Sequence, residues 1–129
     1  MEGAIYFVTW RLKPGQQPLL PDERAIVKEA IKHFDGSRYT LYAFVVMDDH
    51  VHVLVAPVQG WELKSILHSW KSFTAHKMNR AVWQDESFDR IVRDQAELNE
   101  KGRYILGNPF KRWPELNTYE WIGLGASFS

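Results

Sequence analysis

The sequence predicts an α+β fold: a ferredoxin-like split β-α-β-β-α-β antiparallel sheet with helices on one face, followed by a further C-terminal helix. Three observations carry that reading. Runs of β-branched and aromatic residues of strand length occur at 4–12, 39–46 and 50–55. Two segments with apolar residues at three- and four-residue spacing flank the middle pair of strands, as amphipathic helices do. Proline and glycine punctuate the joins between these segments.

The elements follow in order. "AIYFVTWRL", Ala4 to Leu12, reads as a first strand ended by the turn signal of Pro14 and Gly15. Pro21 and Asp22 open a helix whose apolar positions Ala25, Ile26, Ala30, Ile31 and Phe34 share one face, with Gly36 as its stop. Tyr39 to Val46 and His50 to Val55 are two strands joined by "MDDH" as an antiparallel hairpin. From Trp61 a second helix carries Leu63, Ile66, Leu67, Trp70, Phe73, Thr74, Met78 and Ala81 as one apolar stripe, with Trp70 and Phe73 assigned to the core. "SFDRIV", 87–92, is a short fourth strand. A third helix runs from Asp94 to Asn108, where Pro109 is expected to block continuation.

With 129 residues, the chain is the size of one domain, 1–129, and shows no linker or repeat. Cysteine is absent, which excludes a disulfide framework and a thiolate zinc site. The N-terminus lacks the pattern of a secretory signal, and no stretch has the length of a membrane span, so a cytoplasmic protein is expected. Net charge is zero, yet the charge is unevenly distributed. Lys64, Lys71, Lys77 and Arg80, with His68 and His76, occupy a segment free of acidic residues. One basic surface on a neutral protein is the expectation.

Two places could carry chemistry. In "MDDHVHVLV", 47–55, His50 and His52 are two apart on a strand and project side by side. Two imidazoles are part of a metal site and need a further ligand; without one they are a polar edge on an ordinary sheet. In "RYILGNPF", 103–110, Tyr104 and Asn108 lie one helical turn apart on one face. They offer a phenol and an amide oxygen together, or else are half-buried core and a helix-end residue.

The pieces "FVTWRL", "VVMDDHVHVLV", "SWKSFTAHKMNR", "VWQDESFDRIVRD" and "YILGNP" resemble, in order and spacing, the REP-associated tyrosine transposases of the HUH single-strand transposase superfamily. The resemblance covers roughly residues 4 to 112. It implies that His50 and His52 hold a divalent metal ion, Mg2+ or Mn2+, that Asn108 supplies the third ligand, and that Tyr104 on the C-terminal helix is the nucleophile. The implied activity is that of a tyrosine transposase: endonuclease and strand transferase on single-stranded DNA beside hairpins of repetitive palindromes, through a 5′-phosphotyrosine intermediate. The partner is then single-stranded DNA with hairpin structure, with no membrane, and with a homodimer left open because Tyr104 can act within its own subunit or across two.

Such chemistry suits these residues. A phenol with a pKa of about 10 is a weak nucleophile at neutral pH unless the phosphate is polarised, and a bound metal does this while stabilising charge in the transition state. Two imidazoles and an amide suit manganese at least as well as magnesium, which prefers oxygen. Lys64, His68, Lys71, Lys77 and Arg80 would face the phosphate backbone. Trp10, Arg11, Trp83 and Phe88 would grip unpaired bases.

Several residues depart from the family pattern. Asp48 stands where proline is usual; Asp49 could orient His50 as a hydrogen-bond acceptor, but it precedes His50 and would face the other way on a regular strand, so a solvated turn is expected. Lys101 and Gly102 replace apolar residues on the third helix, and the tail after Pro109 keeps only an echo of the family's. Two other readings therefore stand beside the enzyme. One is a catalytically decayed hairpin DNA-binding protein of the same fold; the other is a small metal-binding domain with a different ligand.

Overall fold

The computed structural model describes residues 3–126. Its elements are β1 (Tyr6–Arg11), α1 (Pro21–His33), β2 (Tyr39–Val46), β3 (His50–Pro57), α2 (Leu63–Met78), β4 (Phe88–Ile91), α3 (Gln95–Arg112) and β5 (Ile122–Leu124). The strands form one antiparallel sheet in the order β4-β1-β3-β2-β5. The α+β plan expected from the sequence is present, with β5 added at the edge of β2. Among the described residues no helix is long and apolar enough to cross a membrane.

Strand alternation splits the apolar residues between two faces. Val8 and Trp10 of β1, Leu41, Phe44 and Val46 of β2, and Val51, Val53 and Val55 of β3 pack against α1 and α2 in the larger cluster. Phe7, Ala43, Val45, Met47 and Leu54 form a smaller cluster on the opposite face, closed by Leu98 and Ile105 of α3. A register irregularity between Leu41 and Ala43 resets the alternation, so that Leu41 and Phe44 point to the same side.

Helix ends follow their capping chemistry. Pro21 occupies the first turn of α1, and Glu23 reaches back to accept from the Leu20 N–H at 3.0 Å. Asn79 ends α2 in the left-handed conformation at φ 59°. Asp94 caps α3, accepting from the Glu97 N–H at 2.8 Å.

Two expectations are corrected and one strand is added. Pro109 lies inside α3, which continues to Arg112. Proline removes only its own bond to the carbonyl four residues earlier, and its own carbonyl still accepts from the Trp113 N–H at 2.8 Å; buried packing of Pro109 accompanies this. Phe73 is 54% exposed rather than core, because the buried stripe of α2 is the narrower Ile66, Leu67, Trp70 and Thr74. Ile122–Leu124 is a strand the sequence did not announce. Its docking depends on Gly125, where a Cβ would overlap the Leu41 carbonyl, and whose N–H donates to Tyr42 O at 2.9 Å.

Candidate metal and nucleophile site

His50 and His52 stand on β3, on the face that α3 covers, opposite Arg11 and Thr9 of β1. Their rings are 4.6 Å apart, centroid to centroid. His52 is only 4% exposed, stacked on Phe7 at 5.2 Å. Tyr104, on the second half of α3, comes edge-on to His52 at 5.4 Å and to Phe7 at 6.1 Å. It is 46% exposed, so one edge of the ring meets the histidine and the rest faces solvent. Two histidines and a tyrosine more than fifty residues away thus share one spot.

The polar neighbours set the character of the imidazoles. Asp49 Oδ1 lies 2.7 Å from His50 Nδ1, and Thr9 Oγ1 lies 2.7 Å from His52 Nδ1. When each Nδ1 carries the proton, it donates to that oxygen and leaves Nε2 with a free lone pair, as a metal ligand requires. Burial, followed by the positive charges of His50, Arg11 and Lys101, pushes the His52 pKa down to about 3, so His52 stays neutral at ordinary pH. Burial tends to raise the Asp49 carboxyl, but its hydrogen bond to His50, with the nearby charges of His50, Arg112 and Arg11, leaves it below the usual value. Asp49 is therefore a partner of His50, not the outward turn residue expected.

Asn108 is half-buried one turn beyond Tyr104. It lies between Tyr104 and Arg112 on the same helical stripe. Arg112 reaches Asp48 Oδ2 at 3.1 Å and Asp49 Oδ1 at 3.6 Å, and Lys101, at the other end of the stripe, lies 5.1 Å over the Phe7 ring. Among the described residues no group of three or more His, Cys, Asp or Glu side chains is placed to hold a metal ion. Asn108 is the amide that the helical spacing puts on the same stripe as Tyr104. Two imidazoles with engaged Nδ1 atoms and an amide oxygen are a donor set that fits a divalent ion with positions left for substrate.

The residues expected to contact DNA fall into three groups. Trp10, at 1% exposed, is core rather than a base-stacking surface: it stacks on Trp70 at 5.6 Å and meets Trp83 edge-on at 6.0 Å. Trp83 is buried with it, its indole N–H donating to Thr74 Oγ1 at 2.9 Å. Arg80 is tied to Glu23 by two contacts of 2.9 Å and to Gln16 and Gln17, so its guanidinium is committed to structure. Lys71 donates to Asp85 O and Ser87 Oγ, and burial holds its pKa below the ordinary value. Arg11, Lys64, His68, Lys77 and Phe88 are exposed. Lys64, His68 and Lys71 line a groove of about 720 Å³ beside α2, with Lys13, Gln84 and Asp89. That groove lies on the α2 side of the sheet, whereas the histidines and Tyr104 lie on the α3 side.

Sequence reasoning missed Thr9, Phe7 and Arg112. Thr9 had a signal, because pairing β1 with β3 puts it opposite His52; Arg112 had none, since it lies beyond the proline taken as the helix end.

Residues 4–92 match the family model described as "Transposase IS200 like". Among solved structures, the fold is similar to a REP-associated tyrosine transposase bound to a REP hairpin, at TM-score 0.76 and 22% identity, covering 88% of this chain and 70% of that one. It is also similar to a putative transposase from Deinococcus radiodurans, at TM-score 0.59 and 17% identity, covering 75% of this chain and 85% of that one. No curated protein matches the chain.

Proposed function

The chain belongs to the IS200-like transposase family, and from that membership we propose that it is a metal-dependent endonuclease and strand transferase acting on single-stranded DNA beside palindromic hairpins. The observation that carries the reading is the meeting of His50, His52 and Tyr104 from separate elements, with ring centroids 4.6 and 5.4 Å apart. The hairpin substrate is suggested by the complex in which a structural neighbour was solved. With DNA as substrate, the cytoplasm is its place of work.

His50, His52 and Asn108 would hold a Mg2+ or Mn2+ ion, Asp49 and Thr9 fixing the ring tautomers. When bound, that ion supplies polarisation of the scissile phosphate and stabilisation of its developing charge. The Tyr104 oxygen attacks phosphorus, forming the phosphotyrosine bond and giving its proton to solvent. The bond from phosphorus to the 3′-oxygen breaks, and that oxygen leaves as a hydroxyl after taking up a proton. One phosphodiester replaces another, so attack by a 3′-hydroxyl reverses the step and joins strands without ATP. Partial exposure of Tyr104 lets it reach a strand lying across α3, while Arg11 and Lys101 add positive charge around the phosphate.

The test is to incubate the protein with single-stranded hairpin oligonucleotides and Mn2+ and resolve the products on a denaturing gel beside Tyr104→Phe. A metal-dependent covalent protein–DNA band, absent from the variant, is expected. Retarded complexes on a native gel with no covalent band for any hairpin would favour a protein that binds without cleaving.

A further inference from the structure

The α3 helix reaches the sheet through two buried apolar side chains, Leu98 and Ile105. Apolar contact is non-directional and does not by itself fix the rotation of a helix about its axis. Directional contacts come at its two ends: in the first turn Glu97 pairs with Arg90 of β4 at 2.8 Å, and the end that carries Tyr104 and Asn108 is held by Arg112. Arg112 lies eight residues beyond Tyr104 and four beyond Asn108, on the same stripe. Its guanidinium meets Asp48 Oδ2 at 3.1 Å and Asp49 Oδ1 at 3.6 Å. That same Asp49 oxygen is 2.7 Å from His50 Nδ1.

The aspartates are themselves fixed from the other side. The Leu19 N–H donates to Asp48 O at 2.7 Å and the Leu12 N–H to Asp49 O at 3.1 Å. The β2–β3 turn is therefore a platform anchored by the chain that follows β1, and α3 is the part brought to it.

We propose that Arg112 is a positioning residue: by docking on Asp48 and Asp49 it sets the rotation of α3 so that Tyr104 and Asn108 face the histidine pair, and it links the tyrosine's helix to His50 through one shared carboxylate. This rests on the reading of Tyr104 as the nucleophile. Asp48 is 16% exposed, but Arg112 at 43% and Asp49 at 49% stand partly in solvent, and ion pairs with a solvated partner contribute little to global stability. Loss of Arg112 should therefore show in geometry and rate rather than in the melting temperature.

The test compares wild type, Arg112→Ala, Arg112→Lys and Asp48→Asn in thermal melting, hairpin-oligonucleotide affinity, single-turnover adduct formation at saturating DNA with Mn2+, and hydrogen exchange. Arg112→Ala and Asp48→Asn should slow adduct formation by about 10–100-fold, as small misplacements of reacting groups do, with affinity and melting temperature little changed. Arg112→Lys should recover part of the rate, since a lysine can pair with Asp48 without the two-pronged geometry. Amides of 104–112 and of the turn at 47–50 should exchange faster in Arg112→Ala, with α1 and α2 unaffected. An unchanged rate at saturation, with or without weakened affinity, overturns the proposal, and weakened affinity alone would make Arg112 a DNA contact. If wild type forms no adduct with any hairpin, it is the nucleophile reading that fails. Hydrogen exchange then decides the docking role alone, and unchanged exchange in both segments rejects it.

Discussion

At the scale of single residues, the site depends on two oxygens that no motif search would select. Thr9 Oγ1 and Asp49 Oδ1 each lie 2.7 Å from an imidazole Nδ1, and where that nitrogen carries the proton they leave Nε2 free. Thr9→Val keeps the shape of the side chain and removes the partner. It should weaken Mn2+ binding by about 10–100-fold, as loss of such supporting hydrogen bonds does. It should also destabilise the fold by about 1–3 kcal/mol, because a buried ring nitrogen is left without its partner. Titration with Mn2+ followed by water-proton relaxation, beside urea unfolding, checks both; unchanged metal affinity would remove Thr9 from the site. Trp10 shows where reading residues from sequence fails. Alternation says that Trp10 and Arg11 face opposite sides of a strand, but not which side is covered, and only packing against Trp70 and Trp83 puts Trp10 inside.

At the scale of elements, Glu23 does two jobs: it caps α1 and pairs with Arg80 beyond the end of α2. The Arg80 hydrogen bonds lower its pKa, outweighing burial, which acts the other way; the Leu20 N–H and the Arg80 charge add to the lowering. A carboxyl held below its ordinary value stabilises the fold above pH of about 4.5 and loses that contribution as pH falls below it. Glu23→Gln should therefore cost about 1–2 kcal/mol at pH 7, in line with a charge-assisted pair, and the deficit should be smaller at about pH 3. Urea unfolding at the two pH values measures this, and an equal deficit at both would dissociate the effect from ionisation. The strands at Tyr39–Val46 and His50–Val55 were legible as short β-branched and aromatic runs buried on both faces, and the helix α2 because burial on one side sets its period, though its stripe is narrower than expected. Pro109 and β5 were not. Proline weakens a helix locally without forbidding its continuation where the next turn packs, and a three-residue strand such as Ile122–Leu124 has no period to read. The pairing of His50 with His52 was legible from a two-residue spacing; Arg112, lying past the proline, was not.

At the scale of the whole molecule, the neutral net charge hides a division between sides. Exposed Lys64 and Lys77 belong to α2, away from the histidines, whereas Arg80 and Lys71 are already engaged. If Lys64 and Lys77 touch the DNA backbone, replacing both by alanine should reduce the slope of log affinity against log salt by about 1.4, at roughly 0.7 per single-strand phosphate. Arg80→Ala should leave the slope alone and lower stability instead. Equilibrium binding of a labelled hairpin oligonucleotide over a range of salt concentrations tests this, and an unaltered slope in the double variant would take the α2 face out of the contact. The sheet carries its large aromatic interior on one side, with Trp10, Tyr39, Phe44 and Trp70, and a much smaller cluster under α3. Regions with few buried apolar contacts open at lower free energy than the rest. On warming, the helix bearing Tyr104 should lift while the tryptophan side stays closed, so that cutting ceases before the near-ultraviolet signal of the indoles is lost. Heat would then silence the reaction reversibly, leaving a folded protein that returns to work on cooling.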